Sequence, residues 1–143
     1  MINLLSGIDS TASALNAERI RMDVVSENIA NVNTTKGLDG KPYQRHQVSF
    51  ESVMSQQNSD NPLGTGAQSV QIARIAADPR PPVMVYNPSH PDADDKGMVA
   101  MPNINIHEEM VDMIASSRSY EANLAVAKNA HSMAMQDLAI GKS

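Results

Sequence analysis

Cysteine and tryptophan are absent from this chain, and Phe50 with three tyrosines supplies all of its aromatic bulk. Without cysteine there are no disulfides and no thiolate metal sites. Without large rings, one tight core is hard to fill. Basic runs are missing too. The formal net charge is −5 over 143 residues and the pI is about 5.2, so the clustered cationic surface that nucleic acid requires is not present. No apolar run approaches the length of a membrane span. Met1 to Asp9 carries neither the basic n-region nor the apolar core of a cleaved secretory leader. Export, if it occurs, is therefore expected by a route that reads no such leader. Gly-rich phosphate loops and the Gly-x-Ser-x-Gly elbow are likewise lacking, and no Ser/His/Asp order suggests a triad.

What the chain has is methionine, ten residues of it, with many alanines and two long helical patterns at its ends. Stepping alternately by four and three from Ile106 gives Met110, Met113, Ser117, Tyr120, Leu124, Ala127, His131, Ala134 and Leu138. That is a heptad seam held over roughly four and a half repeats. Asn105 can cap this helix with Glu108 three residues on, and Glu108, Glu109 and Asp112 suit the positive end of its dipole. Gly141 and Lys142 suit the other end. At the opposite end of the sequence, Ile8, Leu15, Met22 and Ile29 recur every seven residues, flanked by Ala12, Val25 and Val32. Glu18 with Arg21 and Arg19 with Asp23 are expected to pair on the wet face. Asn28, Asn31 and Asn33 crowd the end of this helix, where Asn tolerates the left-handed conformation that stops helices.

Between the helices the patterns are shorter. Thr34 to Tyr43 is a turn-rich loop with Asp39-Gly40 at its centre. Gln47 to Val53 alternates like a half-buried strand, Val70, Ile72 and Ile75 suggest a second, and Val83 to Tyr86 a third. Ser55 to Gln68 reads as a linker or loop. Asn87 to Pro102 reads as an acidic, Pro-bounded loop. The expected fold is mainly α: long terminal helices paired as a coiled coil, with a small irregular middle segment containing a β-hairpin. The divisions are residues 1–33, 34–102 and 103–143, with the two outer parts forming one domain.

Candidate ligand sites do not survive weighing. Asp92, Asp94 and Gly97 mimic part of a calcium loop, but Lys96 and Asn103 occupy positions where ligands belong, so a solvated turn is the better reading. His107-Glu108 has Val111 where a zinc-peptidase helix needs its second histidine. His131 sits on the seam and reads as a packed polar contact. Met110 and Met113 read as core. Arg118 and Tyr120 read as an ion pair and an aromatic anchor between subunits.

Two stretches carry a resemblance. Ser26-Glu27-Asn28-Ile29-Ala30-Asn31-Val32-Asn33-Thr34 resembles the motif near the N-terminus of bacterial flagellar rod and hook proteins. The series Tyr86-Asn87-Pro88-Ser89-His90-Pro91-Asp92-Ala93-Asp94, Lys96-Gly97-Met98-Val99, Pro102-Asn103 and Glu109 to Asn123 is similar to the proximal rod members, as is Gly40-Lys41-Pro42-Tyr43. One departure is Met98, where Tyr is expected. The resemblance implies a structural subunit, with no enzymatic activity and no cofactor, metal or small-molecule substrate. It implies pairing of the terminal helices in a hollow axial tube, export through the flagellar type III apparatus and assembly in the periplasm. Partners would be further copies, other rod proteins, the export apparatus and membrane-ring components. The interface is expected to draw on the seam residues above together with Asn31, Asn33 and Arg118. The alternatives are another rod or hook axial protein, and a soluble coiled-coil export adaptor or chaperone. A lone helix pair with so many Ser and Ala contacts buries too little apolar surface to offset its ordering entropy, so folding and assembly are expected to be coupled.

Overall fold

The computed structural model describes residues 2–37, 39–54 and 68–140. Helix α1 spans Ile2–Ala30 and helix α2 spans Ile106–Ile140. Between them lie β1 (His46–Met54), β2 (Gln68–Ala77), β3 (Val83–Tyr86) and β4 (Met98–Met101). The strands form two separate two-stranded sheets, β1 with β2 and β3 with β4. The fold is therefore two long helices with a small two-hairpin middle. The linker expected at Ser55 to Gln68 lies outside the described residues up to position 67, and so do Gly141 and Lys142.

The chain divides into two compact units. The first comprises residues 1–20, 49–74 and 115–143. In it Ala17 and Ser116 are buried, and Ile8, Leu15, Ser117, Tyr120, Leu124, Ala127 and Ala134 are half-buried. Strand β2 is tied to α1 here by the Val70 amide, which donates to Ser13 Oγ at 3.1 Å. Residues 21–48 and 75–114 form the second unit, with Val24, Val25 and Val99 as its buried apolar centre.

Helix α1 ends without left-handed asparagine, since no non-glycine residue among those described has positive φ. Instead Asn31 Nδ2 donates to the Glu27 carbonyl at 2.9 Å, and Thr34 Oγ1 donates to Asn31 Oδ1 at 3.1 Å. The Glu27 carbonyl also accepts from the Asn31 amide at 3.1 Å, so the Asn31 side chain adds a second bond to the last turn and the helix stops without a left-handed residue. The following loop closes through Tyr43 N–H to Thr34 O at 3.1 Å and Gly37 N–H to Lys41 O at 2.8 Å, with Gly40 at φ +70° as the Asp-Gly pair suggests.

The segment read as a loop from Asn87 to Pro102 contains a strand. Met98 to Met101 pairs antiparallel with β3 in the register Val83↔Met101, Met84↔Ala100, Val85↔Val99 and Tyr86↔Met98. Four consecutive apolar residues show no alternation, so periodicity alone could not separate them from a loop. The intervening turn is built by Asp94, whose carboxylate accepts from the Lys96 and Met98 amides at 2.9 and 2.8 Å. Met98 is thus held through its backbone. Asp92 accepts from Thr35 Oγ1 at 2.8 Å and pairs with Lys36 at 3.5 Å, docking this turn on the early loop. These contacts also hold the Asp92 carboxyl below its ordinary range, through the Thr35 hydrogen bond first.

Gly97 is the tightest point of the turn. Its φ is +74°, and a Cβ there would lie 3.0 Å from Tyr86 Cε2 and 3.1 Å from Pro88 Cβ. Gly97→Ala is expected to destabilise the protein by about 2 kcal/mol, from strain and contact together. Gly40→Ala meets nothing within 4 Å and is expected to cost only about 1 kcal/mol, for the backbone conformation alone. Urea unfolding of both variants checks the ranking, and equal midpoints would contradict it.

Candidate functional site

The second unit is organised around charge. Glu109, in the first turns of α2, is 0% exposed. Taking a carboxylate wholly out of water is costly unless its lone pairs are met. Here Arg45 Nε donates to Oε1 and Asn28 Nδ2 donates to Oε2 at 3.0 Å. Arg45 itself is only 15% exposed, and its guanidinium also approaches Asp78 at 3.7 Å and Asp112 at 4.0 Å. Arg21 reaches Asp112 at 3.3 Å. This corrects its expected pairing with Glu18, which has one buried oxygen without a partner. Three guanidinium groups, of Arg21, Arg45 and Arg80, thus face three carboxylates, of Asp78, Glu109 and Asp112.

Asn28 is the second centre, 1% exposed. Its amide nitrogen donates to the His46 carbonyl at 2.9 Å as well as to Glu109, and its oxygen accepts from the His46 amide at 2.9 Å and from the Tyr43 hydroxyl at 3.0 Å. Both donors and both lone pairs are therefore used. With the phenol proton committed to Asn28, His46 Nδ1 at 2.8 Å acts as donor to the Tyr43 oxygen, which assigns the tautomer. Burial, and the negative charges of Glu27 and Glu109 behind it, push the Tyr43 phenol up to about 12.

Asp78, at the end of β2, closes the far side. Arg80 binds it through both carboxylate oxygens, with Nη2 to Oδ2 at 2.7 Å, and Gln47 Nε2 donates at 2.9 Å. The Arg80 hydrogen bonds, with Arg45 adding charge, hold the Asp78 carboxyl down to about 2, and Asp78 in turn raises the Arg80 guanidinium above its ordinary value. A cavity of about 10 Å³ lined by Tyr43, Arg45, Asp78, Arg80 and Asn103 has room for one water. Every charge in this cluster is already paired, so it is arranged to hold elements together.

The sequence pointed at this region incompletely. Asn105 caps α2 as expected, accepting from the His107 amide at 3.1 Å, while its side-chain amide donates to Glu108 at 3.1 Å. Glu109 was expected to act only on the helix dipole, yet it is the buried member of an ion pair. In this unit Val24, Val25 and Asn28 turn inward, whereas Met22 and Ile29 are half-buried and Asn31 and Asn33 lie half-buried and exposed. In α2, Met113 is half-buried, but Ile106 is 42% and Met110 51% exposed. Among the other seam residues, His131 is exposed, as is Arg118 beside the seam, and the side chain of Leu138 lies outside the described residues. The heptad count follows apolar residues and so runs one position off the face that Glu109 occupies.

Residues 8–37 match the family model for flagella basal body rod proteins, and residues 95–139 match the C-terminal model of flagellar basal body rod FlgEFG proteins. The chain is 41% identical to the flagellar basal-body rod protein FlgC of Borreliella burgdorferi, covering 97% of this chain and 98% of that one. It is 40% identical to FlgC of Bacillus subtilis, over 94% and 96% of the two chains. Against FlgC of Salmonella typhimurium the identity is 36%, over 97% and 98%. Asn28, Tyr43, Arg45, Asp78 and Glu109 all fall within stretches that such near-complete alignments span.

Removing Arg45 strands the Glu109 carboxylate, so Arg45→Ala is expected to cost about 3–5 kcal/mol. Arg21→Ala, at a pair whose side chains are 34% and 38% exposed, should cost less than about 1 kcal/mol. Chemical denaturation distinguishes the two. The depressed Asp78 carboxyl adds a pH dependence. Its stabilisation is complete above the ordinary value of 3.8 and is lost as pH falls through about 2. Stability measured from pH 5 to pH 2 should fall across that window, and Asp78→Asn should flatten the fall.

Proposed function

Because this chain belongs to the FlgC family of flagellar basal-body rod proteins, we propose that it is a structural subunit of the proximal rod, built into the axial drive shaft of the flagellum. It is a structural protein and not an enzyme. The observation that supports this reading is a mismatch between inside and outside. Among the described residues only Ala17, Val24, Val25 and Val99 are buried hydrophobics, while α2 exposes Ile106, Met110, Val111, Ile114, Val126, Met133 and Met135 by 42–66%. A 35-residue helix apolar on more than one face has surface left for neighbours.

In the assembled rod, α1 and α2 would pack as a coiled coil with each other and with helices of adjacent subunits, and residues 34–102 would face outward. Ile8, Leu15, Met22 and Ile29 from α1, with Met113, Ser117, Tyr120, Leu124, Ala127 and Ala134 from α2, would form the shared seam. Arg118 and His131 would find polar partners on neighbouring chains. Other copies and other rod proteins are the partners this surface suits. No helix among the described residues is long and apolar enough to cross a membrane, and delivery to the periplasm would be through the flagellar export apparatus.

Leu124→Glu places a charge on the proposed seam, at a cost of several kcal/mol if it is buried unpaired. Secretion of the chain should persist, because it requires only the unfolded polypeptide, while basal-body incorporation and swimming should be lost. Normal motility of a strain carrying Leu124→Glu would remove the seam from the interface.

A further inference from the structure

The start of α2 has two faces that could turn inward, and they lie one residue apart. One is the apolar line Ile106, Met110 and Met113; the other begins at Glu109 and continues through Ser116, whose hydroxyl is buried without a partner. One residue on a helix is a rotation of about 100°. Hydrophobic burial alone favours the apolar line, since Ile106 and Met110 are now 42% and 51% exposed. The structure takes the other setting and buries Glu109 completely.

We propose that Asn28, Arg45 and Glu109 are orientation-setting residues. Their buried polar contact fixes the rotation of the first turns of α2 and thereby presents Met110, Val111 and Ile114 outward to a neighbouring subunit. The proposal rests on the rod-subunit reading for the identity of that neighbour, but not for the rotation itself. The geometry is specific. Glu109 is met at both oxygens by groups from two different elements, α1 and the residue preceding β1. Asn28 is itself fixed by Tyr43 and His46. Rotating α2 by one position would break both Glu109 contacts and carry Asp112, on the same helix, away from Arg45. Buried ionic groups replaced together by apolar ones are commonly tolerated in stability, while their role in fixing register is lost.

The absence of native cysteine makes a direct test clean. Single substitutions Met110→Cys, Ile114→Cys and Ser116→Cys, each in the full chain, report thiol reactivity. With the native cluster, positions 110 and 114 should react at least about tenfold faster than position 116. In the triple variant Asn28→Leu/Arg45→Met/Glu109→Leu the order should invert, with helical circular dichroism retained. An unchanged order, or loss of helicity, overturns the proposal: the first means packing sets the rotation, the second that the cluster is needed for folding itself. Swimming separates the two layers. The triple variant should be non-motile; inverted labelling with normal motility would leave the rotation assigned but overturn the presentation of this face to a neighbour. Failure of the rod reading would instead appear as normal motility with Leu124→Glu.

Discussion

A carboxylate with no contact to water constrains everything around it. Glu109 can sit where it does only because Arg45 neutralises it and Asn28 completes its hydrogen bonds, and each of those groups has requirements of its own. Arg45 must lie just before β1, which places the Tyr43 loop against the end of α1. Asn28 must keep its amide edge-on to the backbone of His46. Asp78 must end β2 where it can share Arg45 and hold Arg80. The first turns of α2, the last turns of α1, the early loop and the near ends of both β1 and β2 are thus solutions to one electrostatic problem.

That organisation suits a chain with few large apolar groups. A unit whose buried hydrophobics among the described residues are Val24, Val25 and Val99 gains modestly from burial, and polar complementarity must supply the uniqueness that shape usually gives. The same shortage leaves methionine, isoleucine and valine on the outside of α2. What looks like a poorly finished monomer is consistent with a subunit whose remaining surface belongs to an assembly.

The long elements were legible because their signals are local. Both helices, the Asn105 cap, the Asp39-Gly40 turn and strands β1 and β3 follow from periodicity, capping and turn chemistry. Strand β4 was hidden because Met98 to Met101 lacks alternation and its pairing partner lies across an eleven-residue turn only the structure reveals. The polar cluster was hidden for a different reason. Heptad counting scores apolar residues, so it cannot rank a glutamate as the most buried side chain of a helix. The available hint was Asn28, an amide within the α1 motif whose neighbours Val24 and Val25 are apolar, opposite a helix start carrying two adjacent glutamates. The helix dipole explains one of these glutamates, and the other needed a further reason.

The separation of the cluster's members along the chain has a kinetic consequence. Asn28 and Glu109 are 81 residues apart, with Arg45 and Asp78 between them. Contacts so distant in sequence close late, after the entropy of a large loop has been met. In any process that delivers the polypeptide with its N-terminus leading, the second unit cannot lock until the beginning of α2 has emerged. Such a lag keeps the earlier segments of the second unit pliable during passage, and the last arrival supplies the charge that fixes them.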